Sequence, residues 1–153
     1  MKKSKILELS RALNGVGRLS GVAFSYAVAK NIRLIQPEIE ALQKAIEPSK
    51  EFSEYDQERE KLAIKHAKKD EKGNPVIENN QYVLEDKEAF DKEFEKLKEK
   101  NKEVLAGRTK QAEDFDKLLL EEVEVKLYKV KLENIPKEIT TAEMNSILDI
   151  IEE

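Results

Sequence analysis

The chain has 153 residues, a formal net charge of −4, and 39% charged against 39% hydrophobic residues. With no Cys and one His, a disulfide scaffold, a thiolate zinc site, a cysteine nucleophile and a multi-histidine metal centre are all excluded. Five Gly and four Pro argue against a loop-rich β-sandwich, and so heavy a charge load fits long helices with a narrow apolar seam and two solvated faces.

Residues 1–37 hold Lys2, Lys3, Lys5, Arg11, Arg18, Lys30 and Arg33 against Glu8 alone, so that part carries +6 and the remainder −10. Two readings stay open: an anionic ligand for the basic part, or attraction between the two parts of one molecule. The basic start is interrupted by Glu8 and Arg11 before any signal-like apolar run forms, and Ala12–Ala29 is too polar for a lone membrane span. The expectation is a soluble protein with no membrane association.

Along the chain, Ile6, Leu9 and Leu13 predict a short N-terminal helix, and Asn14-Gly15-Val16-Gly17 a stop or hinge. Phe24, Val28, Ile32, Ile35, Ile39, Leu42 and Ile46 then recur at spacings of four and three, the seam of a long helix. Pro37 predicts a kink near Arg33–Gln36, and because the stripe keeps its phase the rod is expected to continue. After Pro48 a more polar helix is expected over 53–69.

Lys72-Gly73-Asn74-Pro75 signals a turn, and residues 75–84 read as a β-hairpin around Asn79-Asn80. Asp86 predicts the N-cap of a second long helix from Lys87, with Phe90, Phe94 and Leu97 on its seam and Gly107 as a weak point. From Glu122 the period changes to two. Val123, Val125 and Leu127, then Val130 and Leu132 one step out of phase, predict a strand over 122–133 bulged near Tyr128–Lys129. Thr140 or Thr141 caps a last helix bearing Met144, Ile147, Leu148 and Ile151.

The fold expected is mainly α: a long antiparallel, coiled-coil-like helical hairpin with a small β-hairpin, one C-terminal strand and a short terminal helix. It is read as a single elongated domain over 1–153, with an N-terminal arm (1–17), the helical hairpin (18–121), and the strand and final helix (122–153). A lone strand leaves unpaired backbone groups, so Val123, Val125, Leu127, Val130 and Leu132 are expected to meet the hairpin, a second copy or another protein.

No constellation supports catalysis. The glycines of Gly15-Val16-Gly17-Arg18-Leu19-Ser20-Gly21 have neither dinucleotide nor phosphate-loop spacing. His66 lies among Lys65, Lys68 and Lys69 with no orienting carboxylate in view, and the acidic runs lack calcium-loop spacing. No cofactor and no metal are expected.

Lys69-Asp70-Glu71-Lys72-Gly73-Asn74-Pro75, Tyr82-Val83-Leu84, Phe90-Asp91-Lys92-Glu93-Phe94 and Leu120-Glu121-Glu122-Val123-Glu124-Val125 follow one another over residues 60–152. This order resembles an uncharacterised family of small proteins encoded by tailed bacteriophages. The resemblance implies a phage or prophage context, in the host cytoplasm or the virion, and carries no activity. Helix–hairpin–helix order is also similar to prefoldin subunits, by analogy of architecture alone.

The expected function is therefore a non-enzymatic interaction protein. It would bind a host or virion protein, or assemble with itself, through the strand edge and the helical seams Val28, Ile32, Ile35, Ile39, Leu42, Ile46, Phe90, Phe94 and Leu97. It would act as an inhibitor of a host or defence machine, an assembly chaperone or a minor virion component. The alternative is a nucleic-acid or nucleotide-binding module using Lys2, Lys3, Lys5, Arg11, Arg18, Lys30 and Arg33.

Overall fold

A computed structural model describes residues 1–152. The chain is mainly helical: α1 Lys3–Val16, α2 Val22–Ile46, α3 Lys50–His66, α4 Lys87–Lys100, α5 Lys102–Leu120 and α6 Thr141–Ser146. Four two-residue strands accompany them, β1 Ile77–Glu78, β2 Gln81–Tyr82, β3 Val130–Lys131 and β4 Ile151–Glu152. Residues divide into two compact units, one of Met1–Glu47 with Asp114–Glu153, the other of Pro48–Glu113.

In the first unit α1 packs along α2. Ile6, Leu9, Leu13 and Val16 of α1 meet Phe24, Ala27, Val28, Ile35 and Ile39 of α2, joined by Val130, Ile147, Ile150 and Ile151. The i, i+3, i+4 spacing collects the apolar side chains on one face of each helix, and these two faces meet. Between the helices, Gly21 sits at φ +136°, a conformation that side chains rarely adopt. The glycine-rich stretch thus works as an interhelix turn. Helix α2 continues through Pro37, as expected from the continuous phase of its seam.

One seam position moves. Asn31 is fully buried, whereas Ile32 is only partly so, because Val28, Asn31 and Ile35 keep the three-then-four step and Ile32 falls at its edge. The second long helix also breaks elsewhere than expected. Gly107 lies inside α5, and the interruption falls at Asn101, whose Nδ2 donates to the Leu97 carbonyl at 2.9 Å. Its own backbone N–H donates to Leu97 and Lys98. An asparagine amide competing for helix carbonyls interrupts a helix more effectively than a mid-helix glycine does here.

The predicted strand over 122–133 narrows to β3, which pairs in parallel with β4 (Val130 with Ile151, Lys131 with Glu152). Ile151 is therefore a strand residue and not part of the last helix. Upstream, Val123, Val125 and Leu127 are half-buried and alternate with exposed Glu124, Lys126 and Tyr128. Tyr128 and Lys129 are both exposed before Val130 turns inward, so the expected phase slip is present. Both ends of the expected strand find partners within this chain. The Val123 N–H donates to Met1 O (2.9 Å), Lys3 N–H to Glu121 O (2.9 Å), and the Met1 amine to Val123 O (2.7 Å). Backbone groups that would otherwise need a second chain are met by the N-terminal residues of this one.

Thr140 caps α6 in a full capping box with Glu143. In the second unit Ser49 caps α3 by accepting from the Phe52 N–H, which starts that helix three residues earlier than expected, and Asp86 caps α4 by accepting from Ala89. A helical hairpin is formed by α3 and α4, within the one expected over 18–121; the seam of α2, expected to belong to it, packs against α1 instead. Lys65 pairs with Glu93 and Lys100 with Glu58, a register that runs antiparallel. Between them β1 and β2 pair antiparallel around Asn79 and Asn80, both at positive φ. Two left-handed residues define the tight hairpin turn whose twist matches the strands, and asparagine tolerates that conformation best after glycine.

Candidate interaction surfaces

The second unit has a thin core. Its buried apolar side chains are Tyr55 and Ala67, while Phe52, Leu62, Phe90, Phe94 and Leu97 stay half-buried. Helices α3 and α4, the first part of α5 and a four-residue ladder leave the seam only partly covered. The Phe90 and Phe94 rings stack at 5.5 Å, four residues apart on α4. Lys98 Nζ lies 5.0 Å from the Phe94 centroid. His66 meets Phe90 edge-on at 6.1 Å.

Two grooves flank this seam. One, of about 480 Å³, runs between α3 and α4 with Leu62 and Leu97 among its lining and Lys61, Lys65, Lys96, Lys100, Glu58 and Glu93 around them. Lys65 and Lys100 are tied to Glu93 and Glu58. Lys61 and Lys96 have no ion-pair partner among the described residues. The second groove, about 590 Å³, carries Phe90, Phe94, Ala63, Tyr82 and Leu84.

Glu93 anchors the polar side of the hairpin. Its carboxylate accepts from Lys65 Nζ at 2.7 and 2.8 Å, and this bond is the main reason its pKa lies below the usual carboxylate value. His66 Nε2 is 3.3 Å from Glu93 Oε1, yet it is buried with no hydrogen-bond partner. The pair is not legible in the sequence, because a hairpin separates the two residues. Asp70, in the turn before β1, accepts from the N–H groups of Asn74 (2.9 Å) and Lys72 (2.8 Å), and the Asn74 bond is the largest cause of its lowered pKa.

In the first unit the basic residues separate into two groups. Lys3 pairs with Glu121 at 2.8 Å, Lys5 with Asp149 at 3.2 Å, and Arg18 with Glu143. For these three the acidic partner lies in the C-terminal part of the same chain. Lys2, Arg11, Lys30 and Arg33 have no ion-pair partner among the described residues. The expected seam residues separate likewise: Val28, Ile35, Ile39 and Leu42 are buried, Ile32 and Ile46 half-buried. Of the expected strand residues, Val123, Val125, Leu127 and Val130 turn to their own core, and Leu132 is exposed.

Asn31 was not singled out in the sequence, although a polar residue in an apolar stripe is a readable signal. Its Nδ2 donates to Ala27 O (2.9 Å) and Tyr128 O (2.8 Å), and its Oδ1 accepts from Tyr128 N–H (2.8 Å). The bond pattern sets the amide orientation, since only one placement of N and O satisfies all three contacts. No helix among the described residues is long and apolar enough to cross a membrane. No protein-family model, no curated protein and no solved structure matches the chain.

Proposed function

We propose that this is a non-catalytic interaction protein whose α3–β1–β2–α4 unit docks an apolar, acid-flanked helix of a partner protein. The observation that carries this reading is the thin core of that unit: Leu62, Leu97, Phe90 and Phe94 stay half-buried along two grooves. Leu62 and Leu97 offer the apolar floor that a helix-in-groove contact uses. Lys61 and Lys96 offer cations to acidic residues beside the docking stripe. Docking through the strand edge has less in its favour, because the backbone groups around Val123 and Val130 already have partners. The family resemblance supports a phage context, with a host or virion protein as the partner, in the host cytoplasm or the particle.

The test is affinity capture from infected host lysate with the wild type and with a Leu62→Glu, Leu97→Glu variant. Expected is one protein captured in stoichiometric amount by the wild type and lost from the variant. Equal capture by both, or wild-type dimers that the variant abolishes with no other protein present, would sink heterologous docking at this groove. The second result would assign it to self-assembly.

A further inference from the structure

The first unit carries a surface unlike the α3–α4 grooves. Tyr26 and Tyr128 are 55% and 43% exposed, and their rings meet edge-to-face at 5.4 Å with an interplanar angle of 82°. Crossed rings of this kind leave one aromatic face open to solvent, and neither hydroxyl has a hydrogen-bond partner among the described residues.

Exposed cations lie on the same two elements as the pair. Tyr26, Lys30 and Arg33 follow at i, i+4 and i+7, one stripe on the face of α2 opposite its core seam. Val22, one turn earlier on the same stripe, is 93% exposed. Across from it, Lys126 and Tyr128 share the outward side of the C-terminal segment, with Glu124 the acid beside them. Lys30, Arg33 and Lys126 form no ion pair with any described residue, in contrast to Lys3, Lys5 and Arg18.

The platform is held in place from below. Asn31, fully buried, bonds both backbone groups of Tyr128, so the ring is carried on fixed main chain and not on a mobile loop. Exposed aromatics on a rigid support, flanked by unpaired cations, are the arrangement on which unpaired bases stack while phosphates meet Lys and Arg. A duplex hides its base faces and could use the cations alone.

We infer that this face is a binding site for single-stranded nucleic acid, with Tyr26 and Tyr128 stacking bases and Lys30, Arg33 and Lys126 contacting phosphates. The site does not depend on the groove of the second unit, so either proposal stands or falls by itself. Overall acidity keeps the contact local and its salt dependence moderate.

The test is fluorescence anisotropy with labelled oligothymidylate and oligouridylate of about 15 nucleotides, a size within reach of one such platform. Controls are a duplex of equal length and a Glu-rich peptide. Expected is binding to the single strands, weaker binding to the duplex, and a log–log salt slope of about −2, at ~0.7 per neutralised phosphate for three cations. Tyr26→Ala weakens binding roughly tenfold with the slope kept, whereas Tyr26→Phe retains it. Lys126→Glu weakens binding and flattens the slope; being an exposed change, it keeps the test open if Tyr26→Ala fails to fold. No binding at tens of micromolar protein in low salt overturns the inference. So does equal binding of duplex, or preference for the Glu-rich peptide, which would make the face an acidic-protein site.

Discussion

The side chain of Asn31 forms with the backbone of Tyr128 both bonds that a neighbouring β-strand would supply, an N–H donated and a carbonyl accepted, each at 2.8 Å. A helix residue thus takes the part of a missing strand, 97 positions away in sequence. This helps to hold residues 123–129, which belong to no ladder, against the core. Asn31→Leu should fit the cavity but orphan two backbone groups, costing about 2–4 kcal/mol. Asn31→Asp should be worse at neutral pH, because it adds a buried charge, and should recover partly in acid. Urea unfolding with amide exchange at Tyr128 measures both; a Leu variant as stable as wild type would refute the role.

Pro37 sits inside α2 and lacks the N–H that would bond the Arg33 carbonyl. It is exposed, so replacing it removes no core packing. Pro37→Ala should raise stability by about 1–2 kcal/mol, a gain reduced from ~3 by the greater freedom of the unfolded chain. A lower melting temperature for the variant would show instead that the proline geometry is required by α2.

Glu143 is held below the ordinary carboxylate pKa, first by the Thr140 N–H, then by the Thr140 hydroxyl and Arg18. Glu93, Asp70 and Glu51 are lowered as well. In each case the unfolded chain binds the proton more readily in acid. Stability is therefore complete above the unfolded pKa and falls as pH drops through the lower folded value. Unfolding curves from about pH 6 down to about pH 3 should show that loss, and Glu143→Gln should make it shallower. An identical loss in the variant would remove Glu143 from the account.

His66 Nε2 is buried without a hydrogen bond, close to a carboxylate that Lys65 already occupies. His66→Leu keeps contact with Phe90 and removes the orphan, so the melting temperature should rise by the equivalent of about 1 kcal/mol. A fall of that size would mean that the imidazole, charged or neutral, contributes more through Glu93 than its desolvation costs.

Local chemistry was readable in the chain: Thr140 and Asp86 as caps, Asn79-Asn80 as a tight turn, the apolar stripe of α2, and the slip at Tyr128–Lys129. Each depends on residues within a turn or two of one another, where backbone preference and side-chain spacing act directly. Break points were less legible, because Asn101 and Gly107 are both plausible interruptions and only the Asn101 amide finds a carbonyl to take.

Pairing between distant segments was decided by tertiary structure alone. Nothing near Val123 in sequence indicates that Met1 would bond its backbone and Lys3 that of Glu121, or that Ile151 would bond beside Val130. The same holds for the ion pairs of Lys3, Lys5 and Arg18, which divide the basic residues into neutralised and available sets. Periodicity specifies which face of an element is apolar. Which other face covers it is settled by the competition among all segments to bury surface and pair backbone groups at once, and that competition left Phe90, Phe94 and Leu97 half-covered and Tyr26 and Tyr128 in the open.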